Sequence, residues 1–397
     1  MSKGIGRLQS VGIAKETTRG TAVGSASYWL PFSEASLEEK FENVTQDESF
    51  AVIEDSVGQF RVKNWVEGTI KLPLTDQSLP LLLFGIFGAN ADSTHSGESA
   101  VYDHKATVGE SAQHQSLSFF INDALTSKDY VYANGVVHKA DIDVELKKFA
   151  DITLSVKALK GVVQAASPSM VAENRFLPQY MAFSYAPSTA GVNGTLTATG
   201  TAATTIHVTG LSINTNLLNV GMRVSATNLP AGATIATIVS ASAFDLSVAT
   251  TGAIGTMTFN GALVQLKSFK LSVDSSIEDD DVLGSAAPND FLNKQFKMEG
   301  QLTALWQNES DFKTVALATP TVSQAILVDI KNTDVSLGVV PTRPEVIILL
   351  DQVYFTEFSR PFKVNDLVMQ TVKFKCTYSL TNSEMAKITV TNTVASY

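Results

Sequence analysis

The residues with chemistry to offer are few and scattered. Five histidines, His95, His104, His114, His138 and His207, are spread along the chain, and no two have the short spacing that sets a pair of imidazoles on one metal ion. They read as surface or loop side chains, with His207, between Ile206 and Val208, turned to solvent. The single cysteine, Cys376, has no histidine placed to activate it and reads as inert core. No glycine-rich loop ends in Lys-Ser/Thr, and no G-x-S-x-G elbow is present. The inventory points away from an enzyme and calls for no cofactor and no metal.

Acidic residues make the sharper pattern. Glu278, Asp279, Asp280 and Asp281 are consecutive, and a hard cation such as calcium is what such a cluster offers to hold. Consecutive carboxylates on an extended chain point opposite ways, however, and no turn glycine separates them, so a solvated loop is the simpler reading. That loop, 277–293, has a partner at 46–58, which carries Asp47, Glu48, Glu54 and Asp55. A third pattern is the alternation of Asp141, Asp143 and Glu145 with Ile142, Val144 and Leu146, which makes one strand face negative and the other apolar, and a solubilising face is the simpler reading of it.

The elements that position these residues are mainly β. The chain has 397 residues, 44% of them apolar, enough to build cores for two or three domains, and a net charge of -10 that disfavours stable binding to a nucleic-acid backbone. Alternation is clean from Val372 to Leu380, and recurs at Ile152–Ala158, Phe269–Val273 and Ile142–Leu146. A helix is expected near 76–87, capped by Asp76 or Ser78, with Leu79, Leu82, Leu83 and Ile86 on one side and Pro80 in the first turn; 308–317 is its counterpart. The opening residues lack an apolar run of signal-peptide length, and no segment approaches the ~18 apolar residues of a membrane span, so a soluble, unexported chain with a reduced thiol is expected.

Composition divides the chain. Between Pro187 and Ala262 only Arg223 and Asp245 carry charge, and short apolar pairs such as Ile206 and Val208 recur among Thr, Ala, Gly and Ser, which reads as a small separate β-sandwich. The flanking zones follow one plan: a strand, an acidic loop, a Glu-Gly strand (Glu67-Gly68, Glu299-Gly300), a helix, then further strands. The expected layout is an N-terminal arm at 1–29, a first module at 30–186, the inserted domain at 187–262 and a second module at 263–397.

The segment from Val11 to Glu39, with its Lys15-Glu16-Thr17-x-x-Gly20-Thr21-Ala22 phrase, resembles the start of siphophage tail tube proteins. The Glu-Gly strand, the helix after it and the run Tyr130–Val137 resemble the same family. The middle zone, through Val220–Ser225, Leu229–Ala233 and Ile235–Val239, resembles Ig-like β modules inserted in phage virion proteins. The fold implied is two tail-tube-type β-sandwich modules, each with a short helix, plus the inserted β-sandwich. The resemblance implies a virion protein, assembled in the host cytoplasm, that joins copies of itself into rings stacked as a tube for genomic DNA. A tape measure protein and tail-end proteins are the other implied partners, and double-stranded DNA passes through without specific binding. In such a tube Asp141, Asp143 and Glu145 line the bore, and the acidic loops (Asp47, Glu48, Glu54 and Asp55; Glu278, Asp279, Asp280 and Asp281) reach the next ring. Two modules per chain favour a trimeric ring over a hexameric one. A carbohydrate-binding or adhesive surface protein is the alternative, and Phe244 and Phe259 are the aromatic residues its middle domain has for stacking on sugars.

Overall fold

The computed structural model describes residues 6–397 apart from 52, 54, 57, 124–128, 195, 307–311, 339–341 and 363. Strands dominate because apolar residues recur at every second position, so that a segment buries one face and leaves the other in water. The first part holds β1 (Ser10–Lys15), β2 (Tyr28–Leu30), β3 (Glu34–Gln46), β4 (Gly58–Pro73), α1 (Leu79–Phe87), β5 (Gly88–Thr94) and β6 (Tyr102–Val108). It closes with β7 (Leu117–Asn122), β8 (Tyr130–Glu145), β9 (Asp151–Ala158) and β10 (Val162–Val163). The middle holds β11 (Met181–Pro187), β12 (Leu196–Thr199), β13 (His207–Val208), β14 (Met222–Ser225), β15 (Ile235–Ser240), β16 (Ala243–Leu246) and β17 (Thr256–Leu263). The last part holds β18 (Leu266–Asp274), β19 (Ile277–Asp280), β20 (Asp290–Asn293), β21 (Lys297–Leu305) and α2 (Phe312–Ala316). It ends with β22 (Gln324–Lys331), β23 (Glu345–Ser359), β24 (Met369–Cys376) and β25 (Ala386–Asn392).

Eight strands make one continuous antiparallel sheet in the order β3-β4-β9-β8-β18-β21-β24-β23. Its two halves repeat: β3, β4, β9 and β8 stand to one another as β18, β21, β24 and β23 do, and β8 joins β18 at the centre. The repeat extends to irregularities. β8 is bulged between Val137 and Lys139 where it meets β9, and β23 between Phe355 and Glu357 where it meets β24. A Cβ on Gly68 would stand 1.6 Å from the Ser36 carbonyl oxygen, and one on Gly300 2.5 Å from that of Lys270. The recurring Glu-Gly pair thus marks a close approach of backbone that recurs in both halves.

One face of this sheet is buried, by Ile70, Leu154 and Ile142 in the first half and Leu271, Leu302 and Phe374 in the second. Past their bulges the long strands leave it for outer layers. The first part of β8 pairs with β7 and β10, the first part of β23 with β22 and β25, and β1 lies on β7 as β11 lies on β22. Each half is therefore a sandwich. The β5–β6 hairpin of the first half adds to β25 of the second, and at that seam buried His104 bonds Asp92 at 2.6 Å and Asn392 at 2.9 Å.

Several expectations change. Residues 10–15 are no arm: β1 pairs with both β2 and β7 inside the first sandwich. The boundary at 186 falls inside β11, which belongs to the second sandwich through β22. The middle zone is a small sandwich, as expected, of β12-β17-β14 facing β13-β16-β15, but Ala262 of β17 pairs with Tyr185 of β11, so it grows from the sheet without a linker. Helix α1 is buried on all sides except at Phe84, because layers close over it from both directions. Its first turn is met by Glu173, whose carboxylate accepts from the N–H and hydroxyl of Ser78 at 2.9 Å each. Of the expected second helix, 312–316 is helical and 308–311 lies outside the described residues. The strand expected over 372–380 ends at Cys376. His104 and His114 are buried, where surface positions were expected, because both fill polar niches between layers. Among the described residues no helix is long and apolar enough to cross a membrane.

Candidate assembly surfaces

The second face of the eight-stranded sheet is polar, and its composition follows from register. One row across the strands reads Glu34, Lys71, Thr153, Asp141, Ser272, Glu299, Lys375; another reads Asp151, Asp143, Lys270, Gln301, Lys373, Glu357. Asp141, Asp143 and Glu145 do share this face, but lysines from their own strand and from its neighbour β18 are interleaved with them. Lys139 lies 2.9 Å from Asp141, and Lys270 lies 3.0 Å from both Asp143 and Glu145. Hydrogen bonds from Lys148 and Lys270 hold the Glu145 carboxyl down at about 2. The surface is a mixed, mildly acidic lattice of exposed ion pairs, because cross-strand neighbours in an antiparallel sheet favour opposite charge.

The acidic loops are hairpin tips, and the two differ. In the first half β3 and β4 stay paired, through one bulge between Glu42 and Asn43, to a last pair, Gln46 with Gly58, beyond which Asp47, Glu48 and Asp55 are exposed; Glu54 lies outside the described residues. In the second half the hairpin breaks after Asp274, where Ser276 takes a left-handed φ of 45° and donates its N–H to Asp274 Oδ1 at 2.7 Å. The distal part, β19 with β20, then folds onto the first half. There Lys157 reaches Asp279 at 2.6 Å and Lys63 reaches it at 2.8 Å. Glu278 pairs with Lys294 at 2.8 Å, and Asp281 with Lys63 at 2.6 Å. Glu278 therefore points away from Asp279 and Asp281, which share Lys63, while Asp280 accepts from the Asn289 side-chain amide at 2.9 Å, and among the described residues no metal-ligating cluster forms.

The docking is completed by residues of the segment that carries the family likeness. Glu16 is 3% exposed and accepts from Ser116 and Ser118 hydroxyls and from the N–H groups of Asn134 and Gly20, all within 3.0 Å. That clasp shapes the turn through Gly20, whose φ is 77°, and presents Arg19. Arg19 Nε meets both Asp290 carboxylate oxygens at 2.8 Å, and its Nη2 donates to the Phe291 carbonyl at 2.8 Å. Burial pushes the Asp290 carboxyl up, but hydrogen bonds from Asn134 and Arg19 outweigh it and leave the pKa below the ordinary value. At Asp279 burial acts the same way and is outweighed by Lys157 and Lys63. The only available signal in the sequence was the position of Glu16, Arg19 and Gly20 in one short phrase.

Two sheet edges remain. Among the described residues β3 pairs only with β4, so its outer edge is free along its length, and residues 354–359 of β23 pair only with β24. Beside the first edge Phe41, Val44, Phe60 and Val62 are exposed, at 53%, 56%, 62% and 45%. An unpaired, partly apolar edge is a site of strand addition. Elsewhere, Phe244 and Phe259 stack edge to face at 5.9 Å in the core of the middle sandwich and offer sugars no surface. The Cys376 thiol is buried, and its pKa is raised by loss of solvent. No curated protein matches the chain. The sequence model of the phage tail tube protein family does match, over residues 6–376, which spans both halves of the sheet and the inserted sandwich, and the chain belongs to that family.

Proposed function

We propose that three copies of this chain close into a ring, and that stacked rings form the tail tube through which genomic DNA passes to the host. One observation carries the reading: the chain supplies a continuous eight-stranded sheet whose four-strand unit occurs twice. Three such sheets give about 24 strands. At ~4.8 Å spacing and ~40° tilt they would close a barrel roughly 48 Å across, which leaves a bore wider than a DNA duplex once side chains are subtracted. The polar face turns inward in this arrangement, with Asp141, Asp143 and Glu145 on it. Its near-balanced ion pairs with a slight acidic excess give phosphates little to bind, so DNA slides.

Each half of the chain then acts as one tube module, and joints alternate between intrachain and interchain, the covalent link lowering the entropic cost of half of them. The exposed hairpin tips, Asp47, Glu48 and Asp55 on one and residues 281–286 on the other, reach the neighbouring ring, and the inserted sandwich projects outward. The role is structural, with no catalysis; a tape measure protein inside and tail-end proteins complete the tail, assembled in the host cytoplasm. Native mass measurement of a single ring tests this. Three times the 42.5 kDa chain mass is expected; six copies would overturn it.

A further inference from the structure

We propose that the joint between neighbouring copies repeats, in register, the joint the chain makes with itself between β8 and β18. The free edge of β3 pairs antiparallel with residues 354–359 of β23 in a second copy, setting Lys40 opposite Glu357 and Glu38 opposite Ser359. The proposal rests on the ring reading above and adds to it the strands, the register and the residues.

The register comes from the internal repeat. Leu37 faces Gly68 and Leu271 faces Gly300, so β3 and β18 correspond with Leu37 at Leu271, Glu38 at Ser272 and Lys40 at Asp274. Val156, next to Gly68, faces Val137; Phe374, next to Gly300, faces Phe355. Past the shared bulge, Lys139 corresponds to Glu357 and Asp141 to Ser359. In the chain's own joint Lys139 faces Asp274 and Asp141 faces Ser272. Carrying that register to the free edges gives the pairs proposed, and the lysine–carboxylate pair survives with its ends exchanged.

Charge supports the register independently. A slip of two residues, the smallest that keeps the same faces together, sets Glu357 against either Glu42 or Glu38, and like charges directly opposite destabilise a strand pair. Only the proposed register puts a lysine there. Among the described residues Lys40 and Glu357 are paired only on the surface, with Glu38 at 2.6 Å and Lys373 at 2.7 Å, so both can turn to a neighbour. The exposed Phe41, Val44, Phe60 and Val62 lie on the hairpin whose counterpart in the second half is docked, with Phe291 fully buried.

Two experiments on the full chain decide it. Lys40→Glu should raise the protein concentration needed for tube assembly by about tenfold, the scale of one repelling strand pair repeated at every joint, and adding Glu357→Lys should restore it. In the second, tubes of Lys40→Cys with Glu357→Cys should cross-link chain to chain under oxidation, ending at three linked chains, while Glu42→Cys with Glu357→Cys should not. Buried Cys376 does not compete. All these positions are exposed, and unchanged thermal unfolding of the variants confirms intact folding. Cross-linking in the second pair alone, or no rescue by the double reversal, overturns the register while leaving three-chain rings in place. If the unmodified chain forms no rings, the ring reading and this proposal fall together.

Discussion

The two hairpins that carry the acidic tips are similar in paired length, yet one stays paired to its tip and exposed while the other breaks and docks. In the second half the break at Ser276 lets β19 and β20 fold down, and Arg19, Asn134, Lys63 and Lys157 of the first half receive them. In the first half, among the described residues, none of another segment is placed to receive the hairpin, and Phe41, Val44, Phe60 and Val62 stay in water. A buried polar clasp is built where the partner is covalently attached, and an open edge is left where, in the proposed ring, the partner is a second copy. The comparison explains why a chain with so ordinary a net charge concentrates its buried ion pairs between its two halves.

Removing the clasp should have the largest effect. Arg19→Ala leaves the Asp290 carboxylate buried without its guanidinium, and breaking such a pair costs about 3 to 5 kcal/mol. Amide exchange at 277–293 is expected to rise sharply while that at 34–46 stays as it was. Equal change in both hairpins would contradict the distinction drawn between them.

The next test asks whether the halves share their backbone crossing. Gly68→Ala and Gly300→Ala should each destabilise by about 1 to 3 kcal/mol or more through overpacking. Gly68→Ala should be worse, since its Cβ meets a carbonyl oxygen at 1.6 Å, whereas the nearest atom at Gly300 is the Phe374 ring at 2.2 Å. Urea unfolding of the two variants gives the order.

Acid should separate the hairpins more gently. The Asp279 and Asp290 carboxyls are held below their ordinary values, so they contribute stability above the unfolded pKa of about 3.9 and lose it as pH falls through their folded values. Opening of β19 and β20, read as amide exchange relative to the intrinsic rate at each pH, is therefore expected to be flat from neutral pH down to about 4 and to rise below it. A rise already complete at pH 5 would mean the carboxylates do not hold the hairpin.

Much of this was legible in the sequence because it was local. The alternation in β9 and in β24, the helix after the Glu-Gly strand and the poverty of charge in 187–262 each follow from neighbouring residue types. What was not legible depends on pairing between distant segments. Nothing in 10–15 says that β1 lies between β2 and β7, nothing in 181–187 says that β11 joins β22, and the lysines that offset Asp143 and Glu145 come from β18 and from the turn after β8. The acidic row was visible, but its neutralisation was a matter of register, which alternation along one strand does not encode.

The smallest expected effect lies in the outer layers, where the repeat predicts its own correction. Through the matched registers of β7 on β8 and β22 on β23, Asp329 occupies in the second sandwich the place of Asn122 in the first. Asn122 is neutral and donates to Asp129 at 2.8 Å. Asp329 is pushed up to about 7, first by burial and then by the nearby charge of Glu345. An acid with a raised folded pKa keeps its proton longer when folded, so between about pH 4 and 7 the folded chain loses stability as pH rises, and above 7 the whole penalty is present. Asp329→Asn should therefore stabilise the chain at pH 8 by about 1 to 2 kcal/mol, less than the full linkage value because water and Lys331 screen the site, and by little at pH 4. Thermal unfolding of parent and variant at both pH values checks this. A gain of the same size at pH 4 and pH 8 would show that the substitution acts through packing and not through the buried charge.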